Sequence, residues 1–404
     1  MSYFWKRNRS FLQVENIDLG AKAQAETTEV CDVAIVGAGP AGAACALALK
    51  GSGLRVVLID KGKFPRTKIC GDAIPGPAMR LTRELSGQEE RVESFLKNCH
   101  RIGSSVIYSP DGRRFQMDWK TEAYNITRSS FDAFLLDLVR TETNTQIVQD
   151  TVIDSIEEPA KGQLMVKGKG ERWKVQASVV IGCDGANSVV ARGLRSKSID
   201  KKVPVAIRAY YENVDSAPEL NEFFILRNVP GYFWIFPVGD GLYNVGIGLS
   251  EPYQKLGIDL KTLLRQEIEE NEHISTRFKH AKAIGKAEGF KLPLWTQRHS
   301  LSGHRKLLCG DAAHLIDPLQ GHGIDKAMQS AVLAAEKVKA CFSANRFDVD
   351  FMSTYDKEVA QKLGKALERN LSIMQMLYKY PKLINVAFGF GNIKWVKAIL
   401  QKYS

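Results

Sequence analysis

The residues of this chain best suited to chemistry lie in three glycine–aspartate clusters and around one cysteine. The first cluster, Gly37-Ala38-Gly39-Pro40-Ala41-Gly42, follows a short apolar run, Cys31 to Val36, and opens an Ala- and Leu-rich run over 43–50. Gly51-Ser52-Gly53 breaks that run, and a second apolar stretch, Arg55 to Ile59, ends at Asp60. Strand, GxGxxG, helix, strand and acid follow one another here. Gly37 permits the tight turn, Gly39 lets backbone approach a pyrophosphate, and Gly42 with Ala46 lets helix and strand pack closely. The helix N-terminus offers free N–H groups and a positive dipole end to phosphates. Asp60 can accept hydrogen bonds from a ribose. In this complete βαβ setting the motif specifies a dinucleotide site.

The second and third clusters repeat the theme of strand, turn and acid. Residues 178–192 run from Ser-Val-Val-Ile into Gly182-Cys183-Asp184-Gly185 and a helix start. Residues 307–327 run from Leu-Leu-Cys into Gly310-Asp311, then Pro318 and Gly321-His322-Gly323-Ile324. Asp311 can accept from a sugar-like hydroxyl; for either aspartate the plainer alternative is a helix cap. Cys70, in Phe64-Pro65-Arg66-Thr67-Lys68-Ile69-Cys70-Gly71-Asp72, is read either as a proton source beside a redox ring or as a small buried hydrophobe. Arg66 and Lys68 are the cations expected to lower its thiol pKa. Tyr232 and Trp234 are two apart and share a strand face, with Phe233 and Phe236 expected to point elsewhere; they are either an aromatic substrate wall or sheet core. His314 and His322 are read as general acids, cofactor contacts or satisfied structural histidines, the last favoured.

The elements that must position these groups follow from pattern. Strand-like runs occur at 203–212, 222–227, 232–237 and 242–249, a helix-like segment at 260–272, and two strands around Pro110-Asp111-Gly112 within 102–119. Of the 404 residues 44% are hydrophobic and 25% charged, which excludes disordered and collagen-like classes. Lys and Arg number 56 against 45 Asp and Glu, for a net charge of +11. That suits an anionic cofactor, an anionic substrate or a membrane surface. No helix-turn-helix or finger spacing speaks for nucleic acid. Seven scattered cysteines without a CxxC predict reduced thiols, no metal site and a cytoplasmic protein. The N-terminus lacks an apolar signal core, and no run is long enough to span a bilayer. Residues 369–404 carry six Lys or Arg and no acid, interleaved with apolar residues. They are read either as a peripheral membrane contact or as a helical cap over the substrate pocket.

The order GxGxxG, Asp-Gly, Gly-Asp-x6-Pro over residues 30–340 resembles the flavoprotein hydroxylase superfamily of para-hydroxybenzoate hydroxylase. The Lys-x-Cys-Gly loop and the Tyr232-x-Trp234-x-Phe236-Pro237 strand are similar to those of its geranylgeranyl reductase family. The flavin halogenases' Trp-x-Trp-x-Ile-Pro signature is not matched. The resemblance implies an α/β (α+β) fold: a Rossmann-like FAD-binding domain (30–101, 120–192 and 296–340), an inserted antiparallel-sheet substrate domain (102–119 and 193–295), an extension (1–29) and a helical C-terminal segment (341–404). It implies FAD held by Gly37, Gly39, Ala41, Gly42, Asp60 and Lys61 at the ADP end. Cys70, Gly71, Arg128, Asp184, Gly185, Gly310, Asp311, Gly321, Gly323 and Ile324 complete the cofactor set, with Cys70, Tyr232 and Trp234 as catalytic residues. The implied activity is reduction of carbon–carbon double bonds in a polyprenyl or other hydrophobic lipid, with NAD(P)H or a reduced electron-donor protein as reductant. His314 and His322 depart from the reductase pattern and keep open a second reading, an NAD(P)H- and O2-dependent flavin monooxygenase acting on an aromatic or lipid substrate. A third is a non-catalytic prenyl-lipid carrier.

Overall fold

The computed structural model describes residues 29–380, apart from 161, 172, 193, 195–202, 228, 251–256, 297 and 298. β1 (Glu29–Val36) turns through the glycine cluster into α1 (Pro40–Ala48) and returns as β2 (Val56–Ile59). A two-residue strand, β3 (Ala73–Ile74), leads into α2 (Gly76–Ser86) and α3 (Glu89–Leu96). The hairpin β4 (His100–Tyr108) and β5 (Arg114–Asn125) precedes α4 (Arg128–Glu142), β6 (Gln146–Val148) and the meander β7 (Ile153–Ala160), β8 (Gln163–Gly168) and β9 (Lys174–Gly182). Four more strands, β10 (Val205–Glu212), β11 (Leu220–Ile225), β12 (Gly231–Gly239) and β13 (Leu242–Leu249), are followed by α5 (Leu260–Glu270) and β14 (Lys282–Lys291). The short β15 (Ser302–Gly303) and β16 (Lys306–Leu308) feed the long α6 (Ile324–Ala344). α7 (Val349–Met352), α8 (Thr354–Val359) and α9 (Lys365–Lys379) complete the described chain.

Two sheets result. In the first, β16, β9, β1, β2 and β6 lie side by side in that order and run parallel. Its central strands are apolar without alternation because both faces are covered: Val33, Ala34, Ile35, Val179, Val180 and Ile181 have no exposed surface. α1 packs against α4 and α6. The order reverses at β1, which has β2 on one side and β9, far later in the chain, on the other. In open parallel sheets such a switch point leaves a crevice at the carboxyl ends of the strands.

The second sheet has the order β14-β10-β13-β12-β11-β4-β5-β3. One face packs on α5 through Ile207, Phe233, Val245, Ile247, Leu260 and Leu264. The expectation of an antiparallel sheet needs one correction: β4 and β11 are parallel. After β5 the chain leaves to build α4 and β6–β9 before it re-enters, so hairpin connectivity does not dictate that seam. The sheet also takes in β3 and carries β5 on to Asn125, past the 102–119 interval.

Candidate active site

The three glycine–aspartate clusters sit at the carboxyl ends of β1, β9 and β16, neighbours in the parallel sheet. Their closeness is enforced. At Gly37, whose φ is +102°, a Cβ would stand 2.3 Å from the carbonyl oxygen of Cys183. At Gly42 it would stand 1.8 Å from the carbonyl oxygen of Gly37. Gly39 differs: its nearest neighbours would be the guanidinium nitrogens of Arg128 and Arg66, each 3.7 Å away. Space before a helix N-terminus, with two guanidiniums across it, is a cradle for a diphosphate.

Those guanidiniums are held by carboxylates. Arg128, at the start of α4, grips Asp132 through Nε and Nη2 at 2.7 and 2.8 Å. Burial opposes its charge, but Asp132 outweighs burial and raises its pKa. Arg66 reaches Asp132 at 3.2 Å and forks onto Asp60 at 3.2 Å twice. Asp60 also accepts from the backbone N–H of Ala38 (2.7 Å) and of Gly62 (2.8 Å). Its carboxylate thus braces the glycine turn as well as bordering the cavity.

A cavity of about 990 Å³ opens from this cradle and runs between the two sheets. Gly37, Gly39, Ala41, Asp60 and Lys61 line one end. Arg128, Asp184, Gly185, Asp311, Gly321, Gly323 and Ile324 follow, then Cys70, Gly71, Tyr232 and Trp234. Two of the sequence-derived cofactor residues stand back from the wall. Gly42 packs on Gly37, as its spacing suggests. Gly310 is a correction: it is buried at φ +57°, and a Cβ there would stand 2.8 Å from that of Ala327, so it lets α6 approach the turn. Asp184 serves as a cap. One oxygen caps the following turn, accepting from the N–H of Val189 at 2.6 Å and of Val190 at 3.4 Å. The other is buried without a partner, and burial raises the carboxyl pKa. An open phosphate cradle, an unpaired acceptor and Asp311 at the next strand end fit the donor and acceptor sequence of FAD.

At the other end the wall is aromatic. Tyr232, Trp234 and Phe236 all face the cavity, with ring centroids 5.9 Å apart at each step. The expected outward Phe236 is corrected, because alternation on β12 holds until the register shift after Pro237. Ile373, Met376 and Leu377 of α9 line the cavity, in keeping with the helical-cap reading for this part of the tail; residues 381–404 lie outside the described residues. Among the described residues no helix is long and apolar enough to cross a membrane, and no cluster suits a metal.

Cys70 is half-buried on the wall, and its cationic neighbour is Arg128. The expected pairing with Arg66 and Lys68 is corrected: Arg66 serves Asp60 and Asp132, while Lys68 reaches Asp311 at 3.4 Å. One positioning residue went unsuspected in the sequence. Fully buried Asn244, on β13, donates to the carbonyl of Cys70 (2.7 Å) and to Asp72 (2.8 Å), and accepts from the indole N–H of Trp234 (3.0 Å). It ties the cysteine loop to the aromatic strand. Its signal was parity alone, since 244, 246 and 248 share a face. Asn244→Leu would strand three buried polar partners at about 1–3 kcal/mol each. We expect chemical denaturation to show a loss of about 3–5 kcal/mol; a loss under 1 kcal/mol would contradict the network.

The two histidines part company: His314 stands behind the wall, whereas His322 lines the cavity. His314 is the buried left-handed cap of the turn Gly310–Ala313. His322 lies 3.0 Å from Asp325, which Lys326 also contacts at 2.7 Å. Burial opposes the charge of His322, but Asp325 raises its pKa above 6.5. Burial likewise opposes the charge of Asp325, but His322 and Lys326 lower its pKa. The imidazolium's contribution is complete below about pH 6.5 and is lost as pH rises through the raised value; that of Asp325 is complete above about pH 4 and is lost on acidification. Melting temperatures at pH 6 and pH 9 check this: the wild type should lose more between them than Asp325→Asn, and equal losses would refute it.

The fold and this site define an FAD-dependent oxidoreductase. The chain belongs to the FAD-binding domain family, whose model matches residues 30–370. It is 28% identical to the digeranylgeranylglycerophospholipid reductase of Methanocella arvoryzae, over 86% of this chain and 87% of that protein. It is 29% identical to the protein of the same name from Methanothrix thermoacetophila, over 86% and 88%. Among solved structures, a geranylgeranyl bacteriochlorophyll reductase-like protein from Thermoplasma acidophilum superposes with a TM-score of 0.77 at 23% identity, covering 93% of this chain and 97% of that one. A flavin-dependent brominase superposes at 0.74 with 18% identity, over 93% and 94%. These superpositions are likenesses of fold.

Proposed function

We propose that this flavoprotein reduces carbon–carbon double bonds in the polyprenyl chain of a lipid, with electrons from NAD(P)H or a reduced protein donor. The observation that carries this reading is that one cavity is lined both by the diphosphate cradle and by an aromatic and aliphatic wall. The relatives named as prenyl-lipid reductases support it. Bound and reduced, FAD supplies hydride. The chain's own residues do the rest. Gly37, Gly39, Ala41, Asp60, Lys61 and Arg128 hold the ADP half. Asp184, Gly185, Asp311, Gly321, Gly323 and Ile324 hold the ribityl and ring portion, and the Cys70–Gly71 loop borders the ring. The first sheet and its helices thus serve the cofactor, and the second sheet, with β3 and all of β5, the substrate.

An unactivated alkene accepts hydride poorly unless a proton arrives early in a dry site. Tyr232 and Trp234 exclude water and lay the chain flat, while Cys70 holds the proton. The test is anaerobic: reduce the bound flavin, then add geranylgeranyl phospholipid. Reoxidation with saturation of the lipid, read by mass spectrometry, is the expected result. Reoxidation only with O2, yielding an oxygenated lipid, would replace this reading by the monooxygenase, and a protein purified without flavin bands would favour the carrier. Peripheral membrane contact through the basic C-terminal segment is part of the proposal. Vesicles containing about one-third anionic lipid should retain the protein at low salt and release it as the Debye length falls to about 3 Å near 1 M; neutral vesicles retaining it equally would refute the electrostatic contact.

A further inference from the structure

Arg208, in the middle of β10, lines the cavity yet is only 6% exposed. Its Nε has no hydrogen-bond partner among the described residues. Of the other lining cations, Arg66, Lys68 and Arg128 each have a carboxylate within 3.4 Å, while Arg192 donates to the carbonyl of Asp154 and, unlike Arg208, is exposed. Among the described residues the carboxylate paired with Arg208 is that of Glu288, 3.5 Å away and with a side chain 56% exposed. Asp72 feels the guanidinium through space, but the hydrogen bonds it accepts among the described residues come from Tyr210, Asn244 and the N–H of Arg128. The guanidinium is stacked on the Tyr210 ring, 4.4 Å from its centroid, which fixes its plane. A buried, oriented guanidinium with spare donors suits a planar or tetrahedral oxyanion.

The register across the sheet shows what kind of molecule would bring that anion. Ile107, Phe223, Trp234, Gly246, Arg208 and Glu288 pair in succession and form one row. Gly246 carries no side chain, and a Cβ there would stand 2.3 Å from the Trp234 indole, so the indole lies over β13 toward Arg208. The row is charged at one end, aromatic in the middle and aliphatic at the other. Beyond Ile107, Phe115 and Met117 continue the apolar lining. Strand spacing puts the backbones of Arg208 and Trp234 about 10 Å apart, two steps of about 4.8 Å.

We propose that Arg208 is the subsite for the oxyanion headgroup of the lipid, a phosphate or a carboxylate. The chain then lies along this row over Trp234 toward Ile107. This rests on the lipid-reductase reading above, and it adds polarity and direction: the headgroup enters the β10–β14 end, and double bonds pass Trp234 from there.

Binding is measured separately from turnover, by perturbation of the flavin spectrum in the flavin-loaded protein. The probes are geranylgeranyl phosphate, geranylgeranic acid and geranylgeraniol. In the wild type either anion should bind about 10- to 100-fold more tightly than the alcohol, the range expected of charge-assisted hydrogen bonds. Arg208→Leu should erase that preference while leaving the alcohol within about threefold, and Arg208→Lys should restore part of it. Equal binding of all three to the wild type, or a preference that survives Arg208→Leu, overturns the proposal. Loss of flavin from Arg208→Leu also overturns it, since the guanidinium would then belong to the cofactor. Should that variant not fold, Glu288→Gln decides: removing a half-exposed competitor should tighten the anions about two- to fivefold and leave the alcohol unchanged, and no change overturns the proposal. Anion-selective binding without reoxidation of reduced flavin would sink the reductase reading and leave this subsite standing.

Discussion

Gly39→Asp is expected to yield a folded protein without flavin, whereas Gly42→Ala is expected to yield a destabilised one. The contrast follows from what each new side chain meets. At Gly42 the first added carbon would lie 1.8 Å from a backbone carbonyl and 3.2 Å from Leu58. Helix α1 must move off β1, and overpacking of this kind costs about 1–3 kcal/mol or more. At Gly39 the added carbon meets nothing closer than 3.7 Å, and what it meets is Arg128 and Arg66. A carboxylate there finds two guanidiniums and settles where the diphosphate belongs. The helix N-terminus favours it as well. The protein should keep its melting temperature within a few degrees of the flavin-free wild type, and flavin affinity should fall at least about 100-fold, the loss of two charge-assisted contacts. Flavin absorbance per mole of purified protein, with a thermal melt on the same sample, reads both quantities. Flavin retained at full stoichiometry in Gly39→Asp would show that the cradle holds something else.

Much of this was legible because it is local. A glycine cluster between a strand and a helix is contiguous in sequence, and its glycines are demanded by contacts with their own neighbours, as with Gly42 against Gly37. Three such clusters then converge because parallel strands all present their carboxyl ends on one side. The legible part ends where a residue's role depends on a partner strand. Asn244 and Arg208 belong to no motif; one is a hub and the other a subsite only because of cross-strand register, which spacing along the chain does not encode. The parallel seam between β4 and β11 was hidden for the same reason, since residues 109–219 intervene along the chain between two strands that end up paired. Phe236 could have been placed from sequence, because the period of two that joins Tyr232 to Trp234 continues to 236. Gly310 shows the opposite limit: a motif glycine can serve helix packing rather than the ligand its neighbour Asp311 faces.

Cys70→Ala is expected to keep its flavin and lose most of its turnover, by about 100-fold or more, the usual worth of a positioned proton donor. The argument compares the groups on the wall, where His322 also stands but is paired with Asp325 at 3.0 Å. Tyr232 donates its hydroxyl to the carbonyl of Gln320 at 3.0 Å, and burial holds its phenol well above the ordinary range. Asp72 is fully buried behind the loop and bonded to Tyr210 and Asn244. Asp311 is paired with Lys68, and Asp60 with Arg66. The Cys70 thiol stands on the wall itself, between Arg128 and the aromatic strand, on a loop whose carbonyl Asn244 pins in place. Cys70→Ser keeps a donor of similar size with a much weaker acidity, so it should recover only part of the rate. A proton transferred in the slow step also carries a solvent isotope effect, which should be present in the wild type and altered in both variants, while lipid affinity changes little. A thiol that merely fills space would give the reverse pattern: Ala would cost a little stability, turnover would stay within about twofold, and the isotope effect would not move. Unchanged turnover in Cys70→Ala would assign the proton to a water molecule admitted beside the aromatic wall, and the dryness of the cavity would have to be given up with it.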